Sequence, residues 1–183
     1  MDRLTVIAKD GPRRALLWLS DLLIGLRMAR YRVMRRTDVD GATIHTMPSP
    51  DEVEGAVRLF SKSFDIPSEV RVLRRLSRVF PWATIVLKRG GAVEGYCFFR
   101  ILRRKKAILL SMAVAEALRG QGFGRLMLSF GLSLLREAGL NQVDLDVEEG
   151  NEAALRLYAE HGFTRQGAAR VRGVIRMSKG LRP

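Results

Sequence analysis

The chain has 183 residues, 47% of them apolar and 28% charged, with 32 Lys and Arg against 19 Asp and Glu for a formal net charge of +13. That length allows one domain with a proper core plus an extension, and the composition is globular rather than disordered. A single cysteine, Cys97, excludes an intramolecular disulfide and a cysteine-based zinc cluster, and with only His45 and His161 beside it no structural metal is expected.

The basic excess attracts anions, whether a phosphorylated cofactor, a nucleic acid or an acidic membrane surface. An arginine-rich codon usage produces the same excess with no partner at all, and net charge by itself says nothing more about nucleic acid.

Met1 to Gly11 carries no signal. Arg13 to Arg36 has the composition of a helix of about 36 Å. Its apolar run, Ala15 to Leu26, is 12 residues long and contains Asp21, short of the ~20 that span a bilayer. Arginines follow the run where a signal peptide would have a cleavage site, so a cytoplasmic location is expected. An apolar centre with Trp18, bracketed by Arg13, Arg14, Arg27 and Arg30, suits peripheral contact with an anionic membrane. Packing on the domain or pairing in a homodimer suits it equally. Residues 1–40 are therefore expected as an extension, with Thr37 to Gly41 as a linker, and residues 41–183 as the domain.

The domain should open with a strand at Ala42 to Met47. Ser49 or Asp51 can cap a helix to about Phe64, and Ser68 a second to Val79 with arginines towards its end. Ala83 to Lys88 and Val93 to Leu102 read as a hairpin, and Cys97 within it as a buried small hydrophobe. Arg103 to Lys106 makes the next turn, where four cations suit either a solvated tip or a phosphate or acidic partner. Ala107 to Ala115 is a near-continuous apolar strand, as in the centre of a sheet. A helix should follow to about Ala138 with Gly139 as its C-cap, then a strand at Gln142 to Val147 and a helix from Asn151 to His161. Strands at Phe163 to Ala168 and Val171 to Met177 finish the chain.

Between the apolar strand and the helix that follows lies Arg119-Gly120-Gln121-Gly122-Phe123-Gly124-Arg125. Glycines let backbone approach an anion, and the free N–H groups of a new helix's first turn point at it. The run fits neither the dinucleotide fingerprint nor the P-loop. Its R-x-x-G-x-G pattern, Arg119 to Gly124, resembles the acyl-coenzyme A pyrophosphate loop of the GNAT superfamily of N-acetyltransferases. A second block, Leu145 to Phe163, is similar to that family's L-x-V-x-x-x-N-x-x-A-x-x-L-Y-x-x-x-G-F pattern.

The resemblance implies an α/β (α+β) fold with a mixed, mostly antiparallel sheet of six to seven strands flanked by helices, plus the extra N-terminal segment. It implies acetyl-CoA as co-substrate and a primary amine as acceptor, with no covalent enzyme intermediate. The backbone of Met112, Ala113 and Val114 would pair with the pantetheine arm, and the amides from Arg119 to Arg125, through Gly120, Gln121, Gly122, Phe123 and Gly124, would hold the pyrophosphate. Asn151 would reach the pantetheine region or simply cap its helix. Tyr158 stands where the family often protonates the departing thiolate. For the general base, Glu116, Asp146 and Glu148 all stay open. The acceptor stays open as well: small molecule, peptide or aminoacyl-tRNA. So do longer acyl donors near lipid and a non-catalytic acyl-CoA-binding module.

Overall fold

The computed structural model describes residues 34–63, 67–168 and 171–181. The helix expected from Arg13 onward lies outside the described residues up to position 33. Strands β1 (Arg36–Val39) and β2 (Ala42–Thr46) precede helices α1 (Pro50–Ser63) and α2 (Pro67–Val79). Strands β3 (Thr84–Arg89), β4 (Ala92–Leu102) and β5 (Lys106–Val114) follow, then α3 (Phe123–Glu137), β6 (Gln142–Glu148) and α4 (Glu152–Glu160). Strands β7 (Thr164–Ala168) and β8 (Val174–Gly180) close the domain. One sheet takes the order β1-β2-β3-β4-β5-β6-β8-β7. Every neighbouring pair is antiparallel except β5 and β6.

The mixed, mostly antiparallel architecture is the one expected, but the sheet has eight strands. The additional strand is β1. Residues 37–41, expected as a linker, form most of β1 and its turn: Val39 pairs with Ala42, and Asp40 and Gly41 take φ values of 50° and 72°. That is a two-residue hairpin turn, for which Asp-Gly is a preferred pair because both positions need positive φ.

Strand alternation splits the sheet's side chains between two cores. On one face Ile85, Leu87, Cys97, Phe99 and Leu109 pack with Met127, Leu128, Leu132 and Leu135 of α3. On the other, Val86, Tyr96 and Phe98 pack with Ala56 and Phe60 of α1 and Leu73 of α2. Each large side chain removed from water in this way contributes about 1.5–3 kcal/mol. Helix α3 sits close to the sheet because Gly131 has no side chain. A Cβ built there would lie 2.5 Å from the Phe99 ring.

Ser49, one of two residues suited to cap α1, is the one that does so. Its hydroxyl accepts from the Glu52 N–H and the Glu52 carboxylate accepts from the Ser49 N–H, a reciprocal capping box.

The β4–β5 hairpin runs past its neighbours. Strand β3 reaches only as far as the Thr84–Phe98 pair, whereas β4 and β5 stay paired to Leu102 and Lys106. At its tip Arg104 and Lys105 hold φ values of 61° and 57° without glycine, which costs on the order of 1 kcal/mol each. Strand β5 then carries the chain ~26 Å, at about 3.3 Å per residue, from this tip to the glycine loop. The four tip cations therefore cannot share an anion with that loop.

Candidate functional site

Strand β5 has two unlike halves. From Lys106 to Leu109 it pairs on one side with β4 and on the other, in parallel, with β6. Phe98 then faces Ser111 while Phe99 faces Leu109, so Leu110 is an extra residue with no opposite number on β4. Such a bulge bends its strand. Pairing with β6 stops at the same place, after the Leu109–Leu145 rung, while β6 continues alongside β8 to Glu148. Leu110 to Val114 thus line a cleft, held by β4 on one side and unpaired with β6 on the other. An extended ligand with amide groups of its own can add to such an edge as a strand does. Met112, Ala113 and Val114, expected at this position, all lie on it.

The chain leaves the cleft through a tight turn. The Ala115 N–H donates to the Glu94 carbonyl at 2.7 Å, Glu116–Leu118 form one 3-10 turn, and buried Leu118 pins it to the core. Gly120 and Gly122 have φ of 74° and 82°, left-handed values that side chains resist. Gly122 is the N-cap of α3 and provides no side-chain acceptor, so the first amides of α3 stay available to an anion. Gly124 differs in kind: a methyl built there would lie 3.5 Å from the Met112 side chain and 3.7 Å from that of Leu157, ordinary contacts. It marks where β5, α3 and α4 converge.

The polar side chains of the loop are partly committed. Arg119 donates through Nε to the Val114 carbonyl at 3.2 Å, which keeps its guanidinium at the mouth of the cleft. Gln121 donates to the Ala117 carbonyl at 2.8 Å. Arg125 pairs with Glu160 at 2.5 Å and so ties α3 to the end of α4. Phe123 is buried and offers an anion only its backbone.

Asn151 caps α4, its Oδ1 accepting from the Ala154 N–H at 3.1 Å, and is otherwise exposed. Two turns on, Tyr158 packs against the α3-side core and meets the Phe163 ring edge-on at 5.8 Å. Its hydroxyl has no hydrogen-bond partner among the described residues. Burial, with a lesser contribution from the Cys97 thiol, pushes its pKa well above the ordinary phenol range. Tyr158 is therefore a neutral O–H donor at physiological pH. Cys97 is wholly buried and burial raises its pKa too, which fits the inert hydrophobe expected. His161 donates from Nδ1 to the Leu157 carbonyl at 2.7 Å, and its Nε2 is hydrogen-bonded with the Ser129 hydroxyl at 3.0 Å.

The candidate bases are not equivalent. Asp146 is the first residue of β6 beyond the last rung with β5, at the vertex of the cleft. Both of its oxygens accept from Arg176 on β8, at 2.8 Å each. Sequence reasoning missed Arg176, because only the β6–β8 register sets it opposite Asp146. Glu116 is exposed on the rim, without a partner among the described residues, and Glu148 is exposed at the end of β6. Ser111 was missed as well. Its hydroxyl hydrogen-bonds that of Tyr96 at 3.0 Å on the face covered by α1 and α2. Among the described residues no three His, Cys, Asp or Glu side chains form a metal-binding group. Nor is any described helix long and apolar enough to cross a membrane.

The profile of the Acetyltransferase (GNAT) family matches residues 53–163. The chain belongs to this family. Among curated relatives, a mycothiol acetyltransferase of Thermomonospora curvata is 31% identical over 159 residues, covering 75% of this chain and 54% of its own. One of Thermobispora bispora is 55% identical over 47 residues, 26% of this chain and 16% of its own. The chain thus spans about half the length of the first of these relatives and less of the second.

Among solved structures, Ard1 from Thermoplasma volcanium superposes with a TM-score of 0.70 at 26% identity, over 78% of this chain and 99% of its own. The yncA protein of Salmonella typhimurium, solved with its cofactor acetyl-CoA, gives 0.65 at 20% identity over 78% and 95%. Acetyl-CoA is the co-substrate of the GNAT family. The sequence expectations of family, fold and co-substrate are met.

Proposed function

We propose that this chain transfers an acetyl group from acetyl-CoA to a primary amine by direct attack. The observation that carries the reading is the unpaired half of β5 followed, after one 3-10 turn, by the glycine loop, with the Tyr158 hydroxyl behind it unpartnered among the described residues. The amine lone pair attacks the thioester carbonyl carbon, the C–S bond breaks, the sulfur leaves as a thiolate that takes the Tyr158 proton, and the proton lost from the new amide nitrogen passes to the base or to water, from which the phenol is restored. The backbone of Met112 to Val114 and the amides from Arg119 to Arg125 hold the donor, and Asn151 offers its side-chain amide beside them.

An amine with pKa about 10.4 is neutral only about once in 10³ molecules at pH 7, so a base must assist. Asp146 is the better placed of the candidates, at the cleft vertex, with Arg176 steering its carboxylate. Glu116, on the rim, suits passing the proton to solvent through water. Held orientation supplies much of the remaining acceleration.

The relatives' name makes a mycothiol-type amine the acceptor to test first, beside peptide N-termini and polyamines. The deciding experiment is thiol release from acetyl-CoA with each acceptor, together with direct titration of coenzyme A. Absence of coenzyme A binding would overturn the reading. Binding without turnover on any acceptor would favour the non-catalytic module instead.

A further inference from the structure

Between Ala107 and Ala115, Ser111 is the one hydroxyl-bearing side chain in an otherwise apolar run. It stands on the cleft half of β5, half-buried and paired opposite Phe98, which belongs to the core under α1 and α2. Ser111 therefore points to that face of the sheet. Its hydroxyl meets the Tyr96 hydroxyl at 3.0 Å. Tyr96 is wholly buried, its ring centroid 5.1 Å from that of Phe98 and 6.4 Å from that of Phe60. Packing thus holds the Tyr96 hydroxyl, and through it the rotamer of Ser111.

Asp146 looks to the same face from the other side of the cleft. Its neighbours Leu145 and Val147 point into the core under α3, so strand alternation turns Asp146 the opposite way. Leu109 and Leu145 form the last rung between β5 and β6, which sets Asp146 one residue and Ser111 two residues beyond the vertex. Tyr158 packs in the core under α3, on the far face. One face of the cleft holds a proton donor, and the other a carboxylate and a hydroxyl.

We propose that Ser111, held by Tyr96, is the second hydrogen-bond acceptor for the attacking amine and so selects primary over secondary amines. This rests on the acetyl-transfer reading above. A neutral primary amine has two N–H bonds, and its lone pair is aimed at the thioester carbon only when both are held elsewhere. Asp146 accepts one N–H and takes that proton as the C–N bond forms. Ser111 Oγ accepts the other, which stays on nitrogen as the amide N–H. The Asp146 oxygens, though bonded to Arg176, each keep a second lone pair. Whichever of the two hydroxyls donates to the other, Ser111 Oγ keeps at least one lone pair too. A secondary amine brings a carbon substituent in place of the second N–H and leaves that acceptor unpaired, which penalises it. Tyr96 is the positioning residue of the pair.

The test compares hydroxylamine with N-methylhydroxylamine as acceptors for acetyl-CoA, after subtraction of the uncatalysed reaction. Both are small and largely unprotonated at neutral pH. The parent should prefer hydroxylamine about tenfold or more in kcat/KM, the worth of one hydrogen bond. Ser111→Ala should lower kcat/KM for hydroxylamine about tenfold and for N-methylhydroxylamine much less, so that the preference is lost. Ser111→Thr, which keeps the hydroxyl, should keep the preference, and Tyr96→Phe should weaken it. Tyr96→Phe combined with Ser111→Ala removes both hydroxyls together, a nearly neutral change for stability; it should melt near the parent and show the same lost preference. Coenzyme A affinity by titration should stay parental throughout. An undiminished preference in Ser111→Ala or in the double variant would overturn the proposal and leave acetyl transfer standing. So would a lost preference matched by an equal fall in coenzyme A affinity, since Ser111 would then only shape the strand. No turnover of either compound by the parent, with coenzyme A bound, would count against the acetyl-transfer reading and take this proposal with it.

Discussion

Leu109 faces Leu145 on the last rung between β5 and β6, and one residue later Leu110 has no partner on β4. The bulge and the parting of the strands coincide. A bend at Leu110 turns the rest of β5 away from β6 while β4 keeps hold of it, so the exposed backbone edge is supported from behind. The donor's amides would meet a preformed strand, which limits the ordering that binding must impose.

Tyr158→Phe should lower kcat about a hundredfold or more, the usual range for loss of a general acid. Its hydroxyl has no partner among the described residues, so thermal stability at neutral pH should change by less than about 1 kcal/mol. Single-turnover rates beside melting curves check both; an unchanged rate would remove Tyr158 from the mechanism.

The two carboxylates can be separated by the severity of their amide variants. Asp146→Asn, at the cleft vertex, should lower kcat/KM about 10²-fold or more. Glu116→Gln on the exposed rim should cost less than about tenfold. If the order of severity is reversed, the proton leaves by the rim and Asp146 only fixes Arg176.

The three loop glycines should respond differently to alanine. At Gly120 and Gly122 the positive φ opposes any side chain, and each substitution should cost about 1 kcal/mol or more in stability and raise KM for acetyl-CoA. Gly124 has ordinary space for a methyl and helical backbone, so Gly124→Ala should leave stability level or slightly raised. Calorimetric titration of coenzyme A will show whether that methyl intrudes on the ligand.

Stability should fall at both extremes of pH for identifiable reasons. Cys97 and Tyr158 have raised pKa values through burial, so their contribution is complete below the ordinary thiol and phenol values of 9.0 and 10.0 and is lost as pH climbs above them. Tyr158→Phe should soften the alkaline loss. Burial pushes the Glu52 carboxyl up, but the Lys88 ammonium at 2.7 Å, the Ser49 N–H and nearby His45 outweigh it and hold it below its usual value. That contribution is present above 4.5 and disappears as pH drops. Melting temperatures of Lys88→Met between pH 3 and 6, roughly the carboxylate range, should show a shallower acid loss than the parent.

Local signals carried most of this architecture. The turn glycines, the alternation of β3 and β4 and the capping Asn151 each act over a few residues, and so each could be read from the chain. The same holds for Asp40-Gly41, whose hairpin meaning was hidden only because the short strand before it is charged and half-exposed. What could not be read depends on pairing between distant strands. Arg176 meets Asp146 across 30 residues of sequence, and Leu110 becomes an unmatched residue only once β4 has taken its register. The Arg125–Glu160 pair is of the same kind. A cation expected to face the anion spends its charge partly on α4.

The missing side chain at Gly131 gives α3 a second significance. Position 131 lies just over two turns from Phe123, about 12 Å along the helix, and its closeness to the Phe99 ring sets how far the whole helix stands from the sheet. The helix is a rod whose first turn carries the uncapped amides proposed to hold the donor's phosphates. Its seat on Phe99 is a fulcrum, so a single methyl placed deep in the core would tilt the rod and move the anion site without touching it. On the proposed reading, donor affinity would then depend partly on packing deep in the interior.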